Sequence, residues 1–376
     1  MAELQELRMS LDELDKDLVE LLEKRFELSK EIGQVKIEEG KKVYDKIREQ
    51  EKIDSVKELA SCEFTRKSIG EVFDQLLSIS RKVHYQMLTE KGALGRLPFI
   101  KIASLNAENA RIVFQGVKGA YGQAAMNQYF GEECNSFHVK TFREAMEAIE
   151  EGSADYAVLP IENSTAGAVN EVFDLLVEFE NYIVGETIIP ISHTLSGLPG
   201  AKLEDITTVY SKAEALMQTS HYLDQHPSWQ QISVANTAIA AEKVVKENDI
   251  TKAAVCSSYA ARLNGLQVFD DNINDEKNNS TRFIVITNQK VFLEGASKIS
   301  ICFELLHESG SLYHLLSHFI YNDLNMTKIE SRPVDGKSWE YRFFIDFDGN
   351  LEEPAVKNAI RGLRSESRNL KILGNY

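Results

Sequence analysis

Apolar residues recur in steps of three and four from the start of the chain: Leu4, Leu7, Leu11, Leu14, Leu18, Leu21, then Leu28, Ile32 and Val35. That spacing is a heptad-like stripe along one helix face, and no proline or glycine interrupts it before Gly33. Such a helix reaches about 50 Å, too long to bury its stripe inside one small domain, so the stripe predicts packing against a partner chain. Two more helical patterns follow, in "VYDKIREQEK" and "IGEVFDQLLSISRKVHYQML". The stretch "GALGRLPFIKIASLNAENA" has no period and reads as a linker over 93–109. From Ala110 short apolar runs alternate with helical patterns: "RIVFQG", "ADYAVLPI", "ITTVYS", "ISVAN", "KAAVCS", "RFIVIT". Strands interleaved with helices predict an α/β domain over 110–290 with mostly parallel sheet. Over 297–376 the order becomes strand, helix, strand, strand, helix, strand, the split βαβ plan.

At 376 residues the chain has room for two or three domains. No apolar run approaches the roughly 20 residues that span a bilayer, and the first segment is charged from Glu3 on, which excludes a secretory signal. The four cysteines lie far apart, without metal-type spacing or a paired framework. A reduced, cytoplasmic protein without zinc is the reading. The net charge of −16 argues against nucleic acid or membrane as a partner. Any anionic ligand must then be held by local cations working against the global field.

Isolated cations do stand in unexpected places. Arg25 falls on the apolar seam between Leu21 and Leu28, where it must pair with a carboxylate such as Glu23 or Glu27 of a neighbour, or bind an anion. Lys36, three helical turns on, shares its face, whereas Arg8 points elsewhere. Asp45, Arg48 and Glu49 share one face of the second helix, and Ser80 and His84 lie one turn apart on the third. In the middle of the chain, Pro160 ends a strand, and Glu162, Asn163, Ser164 and Thr165 precede a helix starting near Ala166. Capping by Ser164 or Thr165 competes there with anion binding. Ser211 ends another strand, Gln218 follows two turns into the next helix, and His193 reads as a crossover histidine. Thr281 and Arg282 stand at the mouth of the apolar run Phe283–Ile286. Gly116 and Gly119 lack both nucleotide-loop signatures. Further on, Gly310 opens a helix, and Glu330-Ser331-Arg332-Pro333 ends a strand.

Residues 1–92 resemble the all-helical chorismate mutase family, an intertwined dimer. Arg8, Arg25, Lys36, Asp45, Arg48, Glu49 and Ser80 match that family's substrate set. The resemblance implies that Arg8 of a partner chain, Arg25 and Arg48 hold the two carboxylates of chorismate, with Lys36 and Glu49 at its ether oxygen and hydroxyl. His84 departs from the pattern, standing where members commonly carry a glutamine that donates to the ether oxygen. "GVKGAYG", "ADYAVLPIENSTAGAVNEVFDLL", "VYSKAEALMQ" and "NSTRF" resemble prephenate dehydratases in order and register. That implies two α/β lobes around a cleft, Thr281 as the essential threonine, and Glu162, Asn163, Ser164, Ser211, Gln218 and Arg282 as the substrate set. Gly122 departs from it, since members usually have serine after this tyrosine.

The C-terminal segment resembles the phenylalanine-sensing ACT regulatory domains. Glu330, Ser331, Arg332 and Pro333 match the second motif in full; Gly310, Ser311, Leu312 and Tyr313 match the first loosely. The whole chain therefore resembles the family of fused chorismate mutase–prephenate dehydratases. The resemblance implies a multidomain fold: an all-α domain, a bilobal α/β domain and an α+β ferredoxin-like domain. It implies a homodimer or tetramer that acts on chorismate and prephenate without cofactor or metal, with L-phenylalanine as allosteric inhibitor. The rivals are a non-catalytic aromatic amino acid sensor and a dehydratase whose mutase is impaired by His84.

Overall fold

The computed structural model describes residues 2–92, 97–305, 308–334, 336–337 and 339–376; residues 93–96 of the expected linker lie outside them. The chain forms two compact units, residues 1–97 with 301–371, and residues 98–300 with 372–376.

The first unit opens with three helices: α1, Ala2–Glu38; α2, Lys46–Glu58; and α3, Glu63–Glu90. The apolar stripe of α1 is 50–64% exposed at all nine positions from Leu4 to Val35. Asp45 does not share a face of α2. It is the N-cap, accepting a hydrogen bond from Arg48 N at 3.1 Å, because a short carboxylate just ahead of a helix satisfies its free amides. Gly33 stays inside α1, and its missing side chain makes room for a neighbour: an ideal Cβ would lie 2.4 Å from His84 Cδ2.

The same unit carries the βαββαβ module. Its strands lie in the order Met326–Pro333, Tyr341–Asp348, Lys298–Glu304, Arg368–Asn375, and its helices are Ser311–Tyr321 and Pro354–Glu366. This is the ferredoxin-like strand order that the pattern predicts. The end of the last strand belongs to the second unit, where Gly374 pairs with Ile183 and Tyr376 exchanges backbone hydrogen bonds with Lys298.

The second unit holds two main sheets, besides a parallel pair of Ile100–Ile102 with Val291–Leu293. One runs Tyr182–Pro190, Ser280–Thr287, Tyr156–Asn163, Arg111–Gln115, Asn135–Val139; the other runs Gln267–Asp270, Thr194–Gly197, Lys252–Cys256, Thr208–Ser211, Gln230–Ser233. The expectation of mostly parallel sheet is corrected: Ser280–Thr287 is antiparallel to both its neighbours, as is Thr194–Gly197. The chain crosses between lobes twice, and each return strand enters its sheet from the opposite end. The two crossovers are stitched together, His193 N donating to Asn274 Oδ1 at 2.6 Å and Asn274 Nδ2 to Ile191 O at 3.1 Å. A core around Ile112, Phe114, Met126, Val158 and Val285 fills the first lobe, and Ala-rich packing around Ala240, Ala241 and Ala254 fills part of the second.

Candidate active sites

Between the lobes lies a cleft of 930 Å³. Thr281 pairs with Asn163 across adjacent antiparallel strands at its floor. Asn163 Nδ2 donates to Thr281 Oγ1 at 2.9 Å, to Asn279 Oδ1 at 2.8 Å and to Ser280 O at 3.1 Å. Its Oδ1 accepts from Thr165 N, Thr165 Oγ1 and Ala166 N within 3.0 Å. Asn163 thus ties the turn after its strand to the threonine, as an asparagine side chain does when it mimics backbone. Among the described residues no hydrogen bond takes the Thr281 hydroxyl hydrogen. A hydroxyl that accepts one bond is oriented and polarised to donate another.

The expected helix start at Ala166 is also corrected. The strand runs on through Pro160 to Asn163, a short strand Gly167–Ala168 pairs back onto it, and the helix spans Asn170–Glu178. Asn163 takes the amides expected for a capping Ser164 or Thr165, so the turn is closed before any helix begins.

His193, 2% exposed, lies across the cleft. Its Nε2 is 3.2 Å from Gln218 Oε1 and its Nδ1 is 3.3 Å from the Tyr121 hydroxyl, which donates to Ser192 O at 2.7 Å. Burial pushes the ring below the usual imidazole value, so it is neutral at pH 7, donating from Nε2 and leaving Nδ1 as acceptor. The starts of helices Tyr121–Phe130 and Thr237–Glu247 face the cleft through Ala120, Tyr121, Asn236 and Thr237, and Lys140 and Lys212 line it as well. Lys212 pairs with Glu214, which also lines the cleft, so the exposed helix amides and Lys140 are the groups that suit a negatively charged ligand.

Of the expected cleft set, Asn163, Gln218 and Thr281 line the cavity. Glu162 and Arg282 do not: alternation along each strand turns them away from their neighbours Asn163 and Thr281. Arg282 instead pairs with Glu162 at 3.3 Å and Glu186 at 3.2 Å, and Lys298 also reaches Glu186. Ser211 is fully buried, donating to Val255 O at 2.6 Å, and Ser164 Oγ accepts from Ser280 N at 2.9 Å. Their hydroxyls hold strands and turns rather than ligand. Sequence reasoning passed over Tyr121, Lys140, Lys212 and Thr237. Only Asn236-Thr237 carried a signal, a cap ahead of a helical run. Gly122 has a steric reason, since a Cβ there would sit 2.9 Å from Gln115 O.

In the helical region Arg25 Nη1 reaches Leu76 O and Ser80 Oγ, both at 3.4 Å, and Lys36 Nζ donates to Val43 O at 2.9 Å. Arg48 is exposed and pairs with Glu51, while Glu49, one residue on, turns inward to Arg81. Arg8 is exposed, seventeen residues before Arg25 on α1. His84, 5% exposed, donates from Nε2 to Ser29 O at 2.6 Å, with Ser29 Oγ at 3.2 Å. Burial, helped by the nearby Lys36 charge, holds its ring below the usual imidazole value.

In the βαββαβ module, Gly310 caps helix Ser311–Tyr321 with φ of 78°, a left-handed conformation suited to glycine. Ser311 and Leu312 form its first turn and Tyr313 is exposed. Glu330 to Pro333 end an edge strand, with Glu330 and Arg332 on the more buried face and Ser331 and Pro333 on the open one.

A threonine hydroxyl and convergent helix starts in an interlobe cleft, on the same chain as a three-helix region with seam cations, define a multidomain enzyme. Residues 7–85 match the family model of chorismate mutase type II, and residues 112–291 that of prephenate dehydratase. A bifunctional chorismate mutase/prephenate dehydratase of Aquifex aeolicus is 33% identical over 379 residues, covering 100% of this chain and 98% of that protein. Among solved structures, the prephenate dehydratase of Arthrobacter aurescens in complex with L-Phe is 30% identical, with a TM-score of 0.66, covering 71% of this chain and 89% of that one. A protein described as a novel type of quorum quenching acylase is 31% identical, also with a TM-score of 0.66, covering 71% of this chain and 97% of that one. The chain belongs to the bifunctional chorismate mutase/prephenate dehydratase family.

Proposed function

We infer that this chain rearranges chorismate to prephenate in its helical region and converts prephenate to phenylpyruvate, CO2 and water in its interlobe cleft. The first step makes one C–C bond and breaks one C–O bond without proton transfer. It needs the compact conformer held and the charge growing on the ether oxygen met. Arg25 and Arg48, with Arg8 of a second copy, clamp the carboxylates bidentately; Lys36 meets the ether oxygen, and Asp45, Glu49, Ser80 and His84 complete the site. In the second step the electrons of the C–CO2 bond complete the aromatic ring as hydroxide leaves, and one proton is taken up to form water. The observation that carries this reading is the Thr281 hydroxyl, oriented by Asn163 with its hydrogen uncommitted and facing the cleft. It donates to the leaving hydroxyl. Helix starts and Lys140 receive the carboxylates.

The exposed α1 stripe supports a homo-oligomer in which two such helices cover one another. The strand order over 297–376 supports an ACT regulatory domain taking L-phenylalanine at Gly310 to Tyr313 and Glu330 to Pro333, beside a mutase domain over 1–92 and a dehydratase domain over 110–290. A cytoplasmic location fits four unpaired cysteines and the absence, among the described residues, of a helix able to cross a membrane. The test is an ultraviolet assay of the purified chain with chorismate, then with prephenate, each with and without L-phenylalanine. Consumption of both substrates, with phenylpyruvate formation slowed by the amino acid, is the expected result. A chain that turns over neither is a sensor instead.

A further inference from the structure

Glu49 does not stand alone. Arg81, on α3 and 6% exposed, pairs through Nη1 with Glu49 and through Nε with Glu366 Oε1 at 3.0 Å. Glu366 ends helix Pro354–Glu366 of the βαββαβ module, and His318 Nε2, from the module's other helix, lies 3.1 Å from its Oε1. The Tyr44 ring lies 5.0 Å from the guanidinium carbon. One arginine therefore spans two carboxylates, one beside Lys36 and the other on the C-terminal module. The two are unequally served. Burial pushes both carboxyls up, but His318 and Arg81 together hold Glu366 below the usual range, whereas Glu49, countered mainly by Arg81, stays above it.

The module is shaped for this contact. Gly362 has ordinary helical backbone, yet an ideal Cβ there would lie 2.2 Å from His318 Cε1. A glycine inside a helix is unfavourable; here it lets the His318 ring lie flush between its helix and α3. Asp74 of α3 meets His314 at 3.1 Å, and Lys82 lies 5.5 Å from the Tyr321 ring.

We propose that Arg81 is a positioning residue for the mutase, holding Glu49 in place for chorismate, and that Glu366 of the C-terminal module anchors it from the other side. Mutase turnover then depends on side chains at both ends of the chain. A buried carboxylate that loses its cation reorients or takes a proton, and a small displacement of a group that acts on the transition state is costly.

The inference rests on the role given to Glu49 above, so the full-length chain is tested at both levels. Arg81→Met is expected to lower mutase kcat/KM about tenfold or more, chiefly through kcat, with Arg81→Lys restoring part and Glu366→Gln costing about fivefold. Dehydratase kcat/KM stays within about twofold in all three. In a Glu49→Gln background Glu366→Gln has no further effect, a non-additivity that a merely structural role does not produce. If Arg81→Met fails to fold, Arg81→Lys and Glu366→Gln decide. Mutase kinetics unchanged in these variants, with Glu49→Gln slowed but measurable, overturn the proposal alone. A Glu49→Gln chain as fast as the parent overturns the role of Glu49 and the proposal with it.

Discussion

Thr281 and Asn163 face one another across two antiparallel strands, and the amide of one donates to the hydroxyl of the other at 2.9 Å. The same asparagine holds the following turn, so hydroxyl orientation and loop closure share one side chain. Thr281→Ala is expected to lower dehydratase kcat at least about a hundredfold, the scale of a lost donor to a leaving group, with mutase activity unchanged. Asn163→Ala is expected to lower kcat and also to cost about 1–3 kcal/mol of stability through the buried groups it leaves unpaired. Phenylpyruvate formation and thermal unfolding separate the two, and a Thr281→Ala enzyme within a fewfold of the parent removes the assigned role.

Arg282 is next to Thr281 in sequence but pairs with Glu162 and Glu186 on the other side of the strand. Its substitution is therefore a stability variant. Arg282→Met is expected to cost about 1–3 kcal/mol, between the values of an exposed and a fully buried pair, while KM for prephenate changes less than about threefold. A large rise in KM at unchanged stability returns Arg282 to the substrate set.

Arg8 and Arg25 lie about 25 Å apart along one straight helix, beyond the reach of one small substrate. Arg8→Ala and Arg25→Ala are each expected to be inactive as mutases. Mixed and exchanged, they regain about a quarter of parental activity, because half the dimers are mixed and each has one intact site. No recovery, with exchange confirmed, places each site within a single chain.

His84 is buried, neutral and bonded to Ser29 O. Because its folded-state value lies below the unfolded one, stability is undiminished above about pH 6.5 and falls as pH drops from there through the folded value. Mutase kcat/KM profiles of the parent and His84→Gln are expected to superimpose between pH 6.5 and 8. A parental rise toward the acid end that His84→Gln lacks contradicts the neutral ring.

Gly33→Ala tests the packing beneath that ring. Gain in helix propensity is worth about 1 kcal/mol, but the clash with the imidazole costs about 1–3 kcal/mol, so the variant is destabilised. Adding His84→Ala is expected to make the pair less costly than the sum of the singles; simple additivity in thermal unfolding rejects the contact.

The α1 stripe, the alternation of strands and helices, and Thr281 at a strand mouth were all legible in the chain. Each is set by local periodicity or by a short motif, although the hydroxyl of Thr281 takes its orientation from Asn163, 118 residues away in the chain. Which face of a strand meets the cleft is another matter. Thr281 and Arg282 necessarily point opposite ways, but only the assembled sheet, with its register shift between Arg282 and Phe283, decides that the threonine faces in. Tyr121, His193 and Gln218 meet at one place from three segments that share no sequence pattern. Arg81 carries no signal in the sequence, because its partners are 32 residues before it and 285 after it. A charge is worth burying only where folding brings a counter-charge to it, and that pairing belongs to the tertiary structure.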